Sequence, residues 1–142
     1  MGDFTKLAVW KKAHALALGV YDETSHWPKH ELFGLTSQSR RAAVSIAANI
    51  AEGCGKNSDA ELARHSRNSL GSASELAYYR ILAHDLNYMD RSARDELQAD
   101  VSEVRRMLAS LERVSATAAE RASPTSKLHR KSAVVAAVRA DG

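Results

Sequence analysis

Several features that define large protein classes are scarce or missing in this chain of 142 residues. A single cysteine, Cys54, excludes an intramolecular disulfide framework and suits a reducing cytosol. No apolar run approaches the roughly 18 residues of a membrane span, and the first residues hold no apolar stretch typical of a secretory signal. We therefore expect a cytoplasmic protein without a membrane segment.

Proline and glycine, the residues that most disfavour helix, are also few, with two and seven copies. No phosphate-binding loop, dinucleotide fingerprint or Ser–His–Asp order occurs, and the six histidines show no metal-ligand spacing. We predict an all-α protein that is not an enzyme and that uses no metal or cofactor.

Charge is unevenly distributed along the chain. Residues 1–114 carry 15 basic and 15 acidic side chains, so the net charge of +3 lies entirely in residues 115–142. The apolar periodicity also ends near Val114. We predict a helical domain at 1–114 and a basic, mostly disordered tail at 115–142.

Apolar periodicity divides the domain into four helices. The first lies at about 6–26, before Pro28, and the second covers 34–53. The third begins after Ser58 as N-cap and runs to about residue 86, and the fourth follows Asp90 as N-cap. The inner seam of the fourth helix consists of Leu97, Val101, Val104, Leu108 and Leu111. Short connections favour antiparallel neighbours, so we predict an up-down-up-down four-helix bundle.

Glycines mark two expected backbone features. Gly53 or Gly55 is placed to end the second helix with a left-handed cap. Gly71, in the middle of the third helix, predicts a close contact with another helix, because glycine otherwise weakens a helix interior.

The second helix has no charged residue between Arg41 and Glu52, and eight of those ten residues are apolar. They point in every direction around the helix, so it lacks the polar outer face of an ordinary bundle helix. Because monomers seldom expose apolar patches of this size, we predict that copies of the chain cover it in a ring-like homo-oligomer.

One polar stripe runs along the same helix, within about 80° of its circumference. It consists of Gln38, Arg41, Ser45, Asn49 and Glu52. We interpret the stripe as a buried hydrogen-bond network with Glu75 or a neighbouring subunit, because buried polar groups need partners. A ligand or RNA contact is the alternative interpretation.

Basic residues supply candidate contacts to nucleic-acid phosphates. Those in the domain are Lys11, Lys12, Arg40, Lys56, Arg64 and Arg67. A ring would repeat this weak patch, whereas ordinary solvated helix faces would explain the same residues. Those in the tail are Lys127, Arg130 and Lys131, which belong either to an arm that contacts nucleic acid or to a solubilising extension.

The motif through the second helix resembles the bacterial four-helix-bundle proteins that are also called 23S rRNA intervening-sequence proteins. The matching segments are Val9–His14, Leu32–Gln38, Arg40–Ala43, Ser45–Ile46, Asn49–Gly53, Gly71–Ser72 and Glu75–Leu76. The resemblance covers about residues 3–114. The chain departs from the family at Ala47, where proline is usual, and in the tail, which has no counterpart.

The resemblance implies a bundle that assembles as a ring, typically a pentamer, and for which no enzymatic activity is established. A more distant relative, the accessory protein of diversity-generating retroelements, is a basic pentameric barrel that binds nucleic acid and a reverse transcriptase. We therefore expect a non-enzymatic homo-oligomer associated with RNA or DNA. The alternative is a protein-interaction scaffold for a reverse transcriptase or a ribosomal component.

Overall fold

The computed structural model describes residues 2–123, which form four α-helices and two short 3-10 turns. The helices are α1 (Ala8–Thr24), α2 (Leu35–Gly55), α3 (Asp59–Asp85) and α4 (Arg91–Ala122). The turns lie at Phe4–Lys6 and Lys29–Glu31. The described part of the chain contains no strand, so the all-α prediction is confirmed.

Two helices begin where the sequence places their N-caps. The Ser58 hydroxyl accepts a hydrogen bond from the Glu61 amide at 3.3 Å, at the start of α3. The Asp90 carboxylate accepts one from the Ala93 amide at 2.8 Å, at the start of α4. Each bond satisfies a helix N–H that has no partner within the helix. Both predicted caps are confirmed.

The end of α2 differs from the prediction. The helix continues through Gly53 and Cys54 to Gly55, and no glycine among residues 2–123 has a positive φ. Asn57 takes the left-handed conformation instead, with a φ of 52°. Asparagine tolerates this region better than most residues, because its short polar side chain can bond locally. The predicted left-handed glycine cap is therefore wrong.

The close contact between helices lies at Gly53 and not at Gly71. A Cβ added at Gly71 would meet no atom within 4 Å. A Cβ at Gly53 would lie 2.8 Å from the Cβ of His65 and 3.2 Å from Cδ1 of Leu62. The missing side chain of Gly53 thus lets the end of α2 approach the start of α3.

The hydrophobic core fills the space between the four helices, since α1 packs on α2 and α4, and α3 packs on the same two helices. Its largest fully buried apolar side chains are Val20, Ile46, Ile50, Leu76, Val104 and Leu108. Val101 of the predicted α4 seam is also buried, and Leu97 and Leu111 pack against the core's edge. None of the described helices is long and apolar enough to span a bilayer.

The fourth helix is longer than predicted. α4 continues eight residues beyond Val114 to Ala122, and Ser115 is only 3% exposed. The prediction of disorder is therefore wrong for residues 115–122, where an alanine-rich segment of high helix propensity extends α4. The remainder of the predicted tail, 124–142, lies outside the described residues.

Candidate nucleic-acid interface

Polar side chains bond across the junction of α2 and α3, which we call the α2–α3 seam and define by Ser45, Asn49, His65 and Ser72. The Ser72 hydroxyl donates to the Ser45 hydroxyl at 3.0 Å. The Asn49 amide nitrogen donates to the Ser45 carbonyl and hydroxyl at 3.0 and 3.1 Å. Two members of the predicted stripe, Ser45 and Asn49, therefore belong to a hydrogen-bonded chain.

His65 completes the seam and was missed by the sequence reasoning. Its ring is 3% exposed, with Nδ1 3.1 Å from Asn49 Oδ1 and Nε2 3.1 Å from Arg64 Nη2. A guanidinium can only donate, so Nε2 accepts and Nδ1 carries the proton that it donates to Asn49. The carboxylates of Glu52 and Glu61 lie 4.0 and 3.7 Å from the ring nitrogens.

A spacing of seven residues could have revealed this face of α3. His65, Ser72 and Tyr79 follow one another at that interval, and each bonds a different member of the α2 stripe. The Tyr79 hydroxyl lies 3.4 Å from Gln38 Oε1 and 3.3 Å from Glu75 Oε2. Burial, followed by the charge of Glu75, raises the pKa of Tyr79. Among residues 2–123, Glu75 is therefore linked to the stripe through Tyr79.

The remaining members of the predicted network are exposed in the single chain. Gln38, Arg41 and Glu52 lie at the surface of α2, and Glu75 lies at the surface of α3. Arg41 forms no hydrogen bond or ion pair with any residue in 2–123. Residues 2–123 by themselves do not bury the stripe as one network, because the stripe runs partly along the outer side of α2. Burial of these side chains by a second copy stays a prediction.

Three of the candidate phosphate contacts are engaged with carboxylates. Lys12 pairs with Glu103 at 3.4 Å, Arg64 with Glu61 at 2.8 Å and Arg67 with Glu112 at 2.9 Å. The hydrogen bond from Arg64 holds the pKa of Glu61 below its usual range. Each of these cations lies beside a negative charge that weakens its field.

The other three candidates form no ion pair within residues 2–123, and Arg40 lies at the opposite end of α1 from Lys11. Lys11 is exposed on α1, and Lys56 is exposed just beyond α2. Arg40 donates from Nε to the Thr24 hydroxyl at 2.9 Å, and its guanidinium lies 4.7 Å from the centre of the Tyr21 ring. The structure therefore does not bring the six predicted residues together. Lys127, Arg130 and Lys131 lie outside the described residues.

A groove runs along the outer surface between α1 and α2, and its two halves differ in chemistry. We call the half near the start of α2 the basic half, with a volume of about 600 Å³. It is lined chiefly by Tyr21, Leu32, Phe33, Ser37, Arg40 and Arg41, and none of its lining residues described by the structure is acidic. Arg41, assigned from the sequence to the buried network, thus lies beside Arg40 in an open groove.

We call the other half of the groove the apolar half, with a volume of about 430 Å³. Its lining includes Trp10, Leu18, Ala48 and Ala51, and it meets the basic half at Tyr21 and Val44. Leu18 is 59% exposed and Val44 is 44% exposed. The exposed apolar residues Val44 and Ala48 of α2 therefore line this half of the groove.

Comparisons with known proteins give one family match and one similar solved structure. A family model described as 23S rRNA-intervening sequence protein matches residues 5–110. Among solved structures, the chain is similar to a protein of unknown function from the S23 ribosomal protein family of Bacteroides thetaiotaomicron, with a TM-score of 0.69 and 24% sequence identity. That match covers 74% of this chain and 98% of the other, and it shows the fold alone. No curated protein matches the chain.

Proposed function

The chain belongs to the 23S rRNA-intervening sequence protein family, and from this premise we propose that it is a non-enzymatic, RNA-associated four-helix bundle. In this proposal copies of the chain assemble into a ring in the cytoplasm, with five subunits as the favoured number. The observation that carries the RNA association is the basic half of the α1–α2 groove, where Arg40 and Arg41 lie together without a lining carboxylate.

The up-down-up-down order of the helices is part of the proposal, and pairs of side chains support it. Across α3 and α4, Arg67 pairs with Glu112, whereas the later Arg80 lies 3.5 Å from the earlier Gln98. Across α2 and α3, Asn49 bonds His65, and the earlier Gln38 lies within reach of Tyr79. Later positions on one helix thus meet earlier positions on the next, as antiparallel neighbours do.

The apolar half of the groove supports assembly. Its exposed Leu18, Val44 and Ala48 would lie in water on an isolated chain, and burying apolar surface contributes about 25 cal/mol per Å². A closed ring requires a heterologous contact, in which this face meets a different face of the next copy. The outer side of α3 offers one, because Tyr78 and Ile81 are exposed there.

RNA association fits an otherwise neutral domain. Residues 1–114 carry equal numbers of basic and acidic side chains, so their total charge attracts no polyanion. A ring would repeat the basic half of the groove once per subunit, and several weak contacts on one strand would then act together. The local arrangement of charge, and not its sum, supports binding.

Two measurements on the purified full chain test the proposal. Light scattering at micromolar protein should return a multiple of the 15.5 kDa chain mass. Protein purified without nuclease should carry RNA, seen as a raised ratio of absorbance at 260 and 280 nm. A folded monomer would contradict the ring. Failure to retain or bind any RNA at low salt would contradict the RNA association.

The second candidate function is a protein-interaction scaffold, and the outer side of α3 favours it. Tyr78 is 57% exposed and Ile81 is 47% exposed, and aromatic side chains are enriched at protein interfaces. A reverse transcriptase or a ribosomal component is the expected partner class. A partner that stays bound after nuclease treatment, and that is lost when Tyr78 is replaced by alanine, would support the scaffold. An unchanged interaction would contradict it.

A further inference from the structure

We propose that the basic half of the α1–α2 groove binds single-stranded RNA, with Phe33 stacking on a base and with Arg40 and Arg41 contacting phosphates. This inference rests on the proposed RNA association and goes beyond it by naming the site, the strand form and the contacting groups. The main observation in its support is that two guanidinium groups and two aromatic rings line the same open groove.

Phe33 is the most exposed large apolar side chain in the described residues, at 94%. It lies between the turn at Lys29–Glu31 and the start of α2, and it belongs to neither core cluster. A ring that contacts so little of its own chain is free to stack on a ligand. Every base presents a π-face, so aromatic stacking binds single strands with little sequence preference.

Arg40 is held in place within the groove. Its Nε donates to Thr24 at 2.9 Å, and the guanidinium lies over the Tyr21 ring at 4.7 Å. This arrangement leaves the two terminal nitrogens to donate to phosphate oxygens, and charge-assisted bonds of this kind are stronger than neutral ones. Because its side chain is already ordered, Arg40 would lose little rotamer entropy on binding.

Arg41 adds a second positive charge that pairs with no carboxylate among residues 2–123. It is exposed and forms no bond to the residues of 2–123. Glu31, the acidic residue nearest in sequence, turns its carboxylate to the Leu35 amide at 3.4 Å and does not line the groove. Lys12, Arg64 and Arg67, by contrast, all have carboxylate partners. Charge complementarity therefore singles out a polyanion as the occupant.

The same residues favour a single strand over a duplex. In a duplex the bases are stacked within the helix, so Phe33 at the protein surface could not reach a base face. A duplex binder would also follow two phosphate backbones, whereas three of the other candidate cations are already paired with carboxylates. A protein partner would have to bring a carboxylate to each arginine, because burying an unpaired charge is costly, whereas every nucleotide of an RNA strand carries a phosphate.

Binding of fluorescently labelled oligouridylate of about 15 nucleotides, near the upper site size of single-strand modules, tests the inference. Anisotropy is measured with the full chain over a series of salt concentrations. Phe33→Ala and Arg41→Gln are the site variants. Val114→Ala and Arg106→Gln are the controls, because they shorten an exposed apolar side chain and remove an exposed arginine on α4, outside the lining of the groove.

Phe33→Ala should weaken binding about fivefold to a hundredfold, and Phe33→Tyr, which keeps the ring, should restore it. Arg41→Gln should lower the slope of log affinity against log salt by about 0.7, the value for one phosphate contact on a single strand. Each control should stay within about twofold of the original chain. A duplex of the same length should bind more weakly and should not respond to Phe33→Ala.

Each contrary result identifies a different error. If the unaltered chain binds no RNA, the proposed function and this site both fall. If it binds RNA but the site variants behave as the controls do, the site is wrong while RNA association stands. If Phe33→Ala lowers the mass measured by light scattering, the basic half is an interface between copies. Equal responses with duplex RNA would overturn the single-strand assignment.

Discussion

Gly53 at the end of α2 and His65 on α3 are so close that a Cβ on Gly53 would lie 2.8 Å from the Cβ of His65. Real Cβ atoms essentially never come this near one another, and His65 cannot retreat easily because its ring is bonded to Asn49 and Arg64. The α2–α3 seam therefore requires glycine at position 53 as well as the polar groups that bond across it.

Gly53→Ala should lower the free energy of unfolding by about 1–3 kcal/mol, the usual cost of overpacking. Gly71→Ala is the matched control, since its Cβ would meet nothing within 4 Å, and it should raise stability by about 0.5–1 kcal/mol through helix propensity. Urea unfolding followed by circular dichroism measures both. If the two variants shift stability in the same direction, the close approach at Gly53 is wrong.

Asn49→Ala should lower the free energy of unfolding by about 1–3 kcal/mol, because it leaves the buried Nδ1–H of His65 without its acceptor. Gln38→Ala, on the exposed part of the same stripe, should change stability by no more than about 0.5 kcal/mol. The same unfolding measurement applies. If both variants lose the same free energy of unfolding, the distinction between the bonded seam at Asn49 and the exposed stripe at Gln38 is wrong.

Alkaline pH should weaken the fold through Tyr79. Its pKa is raised in the folded state, first by burial and then by Glu75, so the folded protein favours the protonated hydroxyl. This contribution is fully present below the unfolded pKa of about 10, and it is lost as the pH rises through the higher folded pKa.

The stability advantage of the original chain over Tyr79→Phe should therefore be constant at neutral pH and fall above about pH 10. Chemical unfolding at a series of pH values measures it. Tyr88, whose pKa is raised by burial and by Glu31, and Cys54, whose pKa is raised by burial, leave some alkaline sensitivity in the variant. A difference that does not change with pH would contradict the role given to Tyr79.

Truncation should locate the end of the folded domain. A chain that ends at Ser123 should unfold as the full chain does, because α4 ends at Ala122. A chain that ends at Val114 loses the buried Ser115 and the last turns of α4. Its free energy of unfolding should be lower than that of the full chain by about 1 kcal/mol or more. Thermal unfolding is measured for the full chain and for both truncated chains. Identical curves would mean that the folded domain ends at Val114.

The chain that ends at Ser123 also tests the role of residues 124–142, for which the sequence leaves two interpretations. Loss of RNA affinity together with a smaller salt slope would identify Lys127, Arg130 and Lys131 as a contacting arm. Unchanged affinity would identify a solubilising extension. The groove variants serve as the reference, because their effect should be the same with and without the tail.

Much of the fold followed from local patterns. The caps at Ser58 and Asp90 and the inner seam of α4 are coded by residue type and spacing within a few turns, and the structure confirms them. The site followed less well. Arg40 was recognised as a candidate contact, but Arg41 was assigned to a network and Phe33 was noted only as part of the family motif. Neither exposure nor pairing is visible in a linear pattern.

By itself, the sequence determined that the chain is helical, which stripe of each helix is apolar, and to which family it belongs. The first two properties depend on residue spacing along one helix, whereas the family is shown by the sequence match over residues 5–110. Only the tertiary structure decided that Gly53 makes the close contact, that His65 meets Asn49, and that Arg40 and Arg41 share an open groove. The register and rotation of one helix against the next set these pairings, and they depend on how the whole core packs.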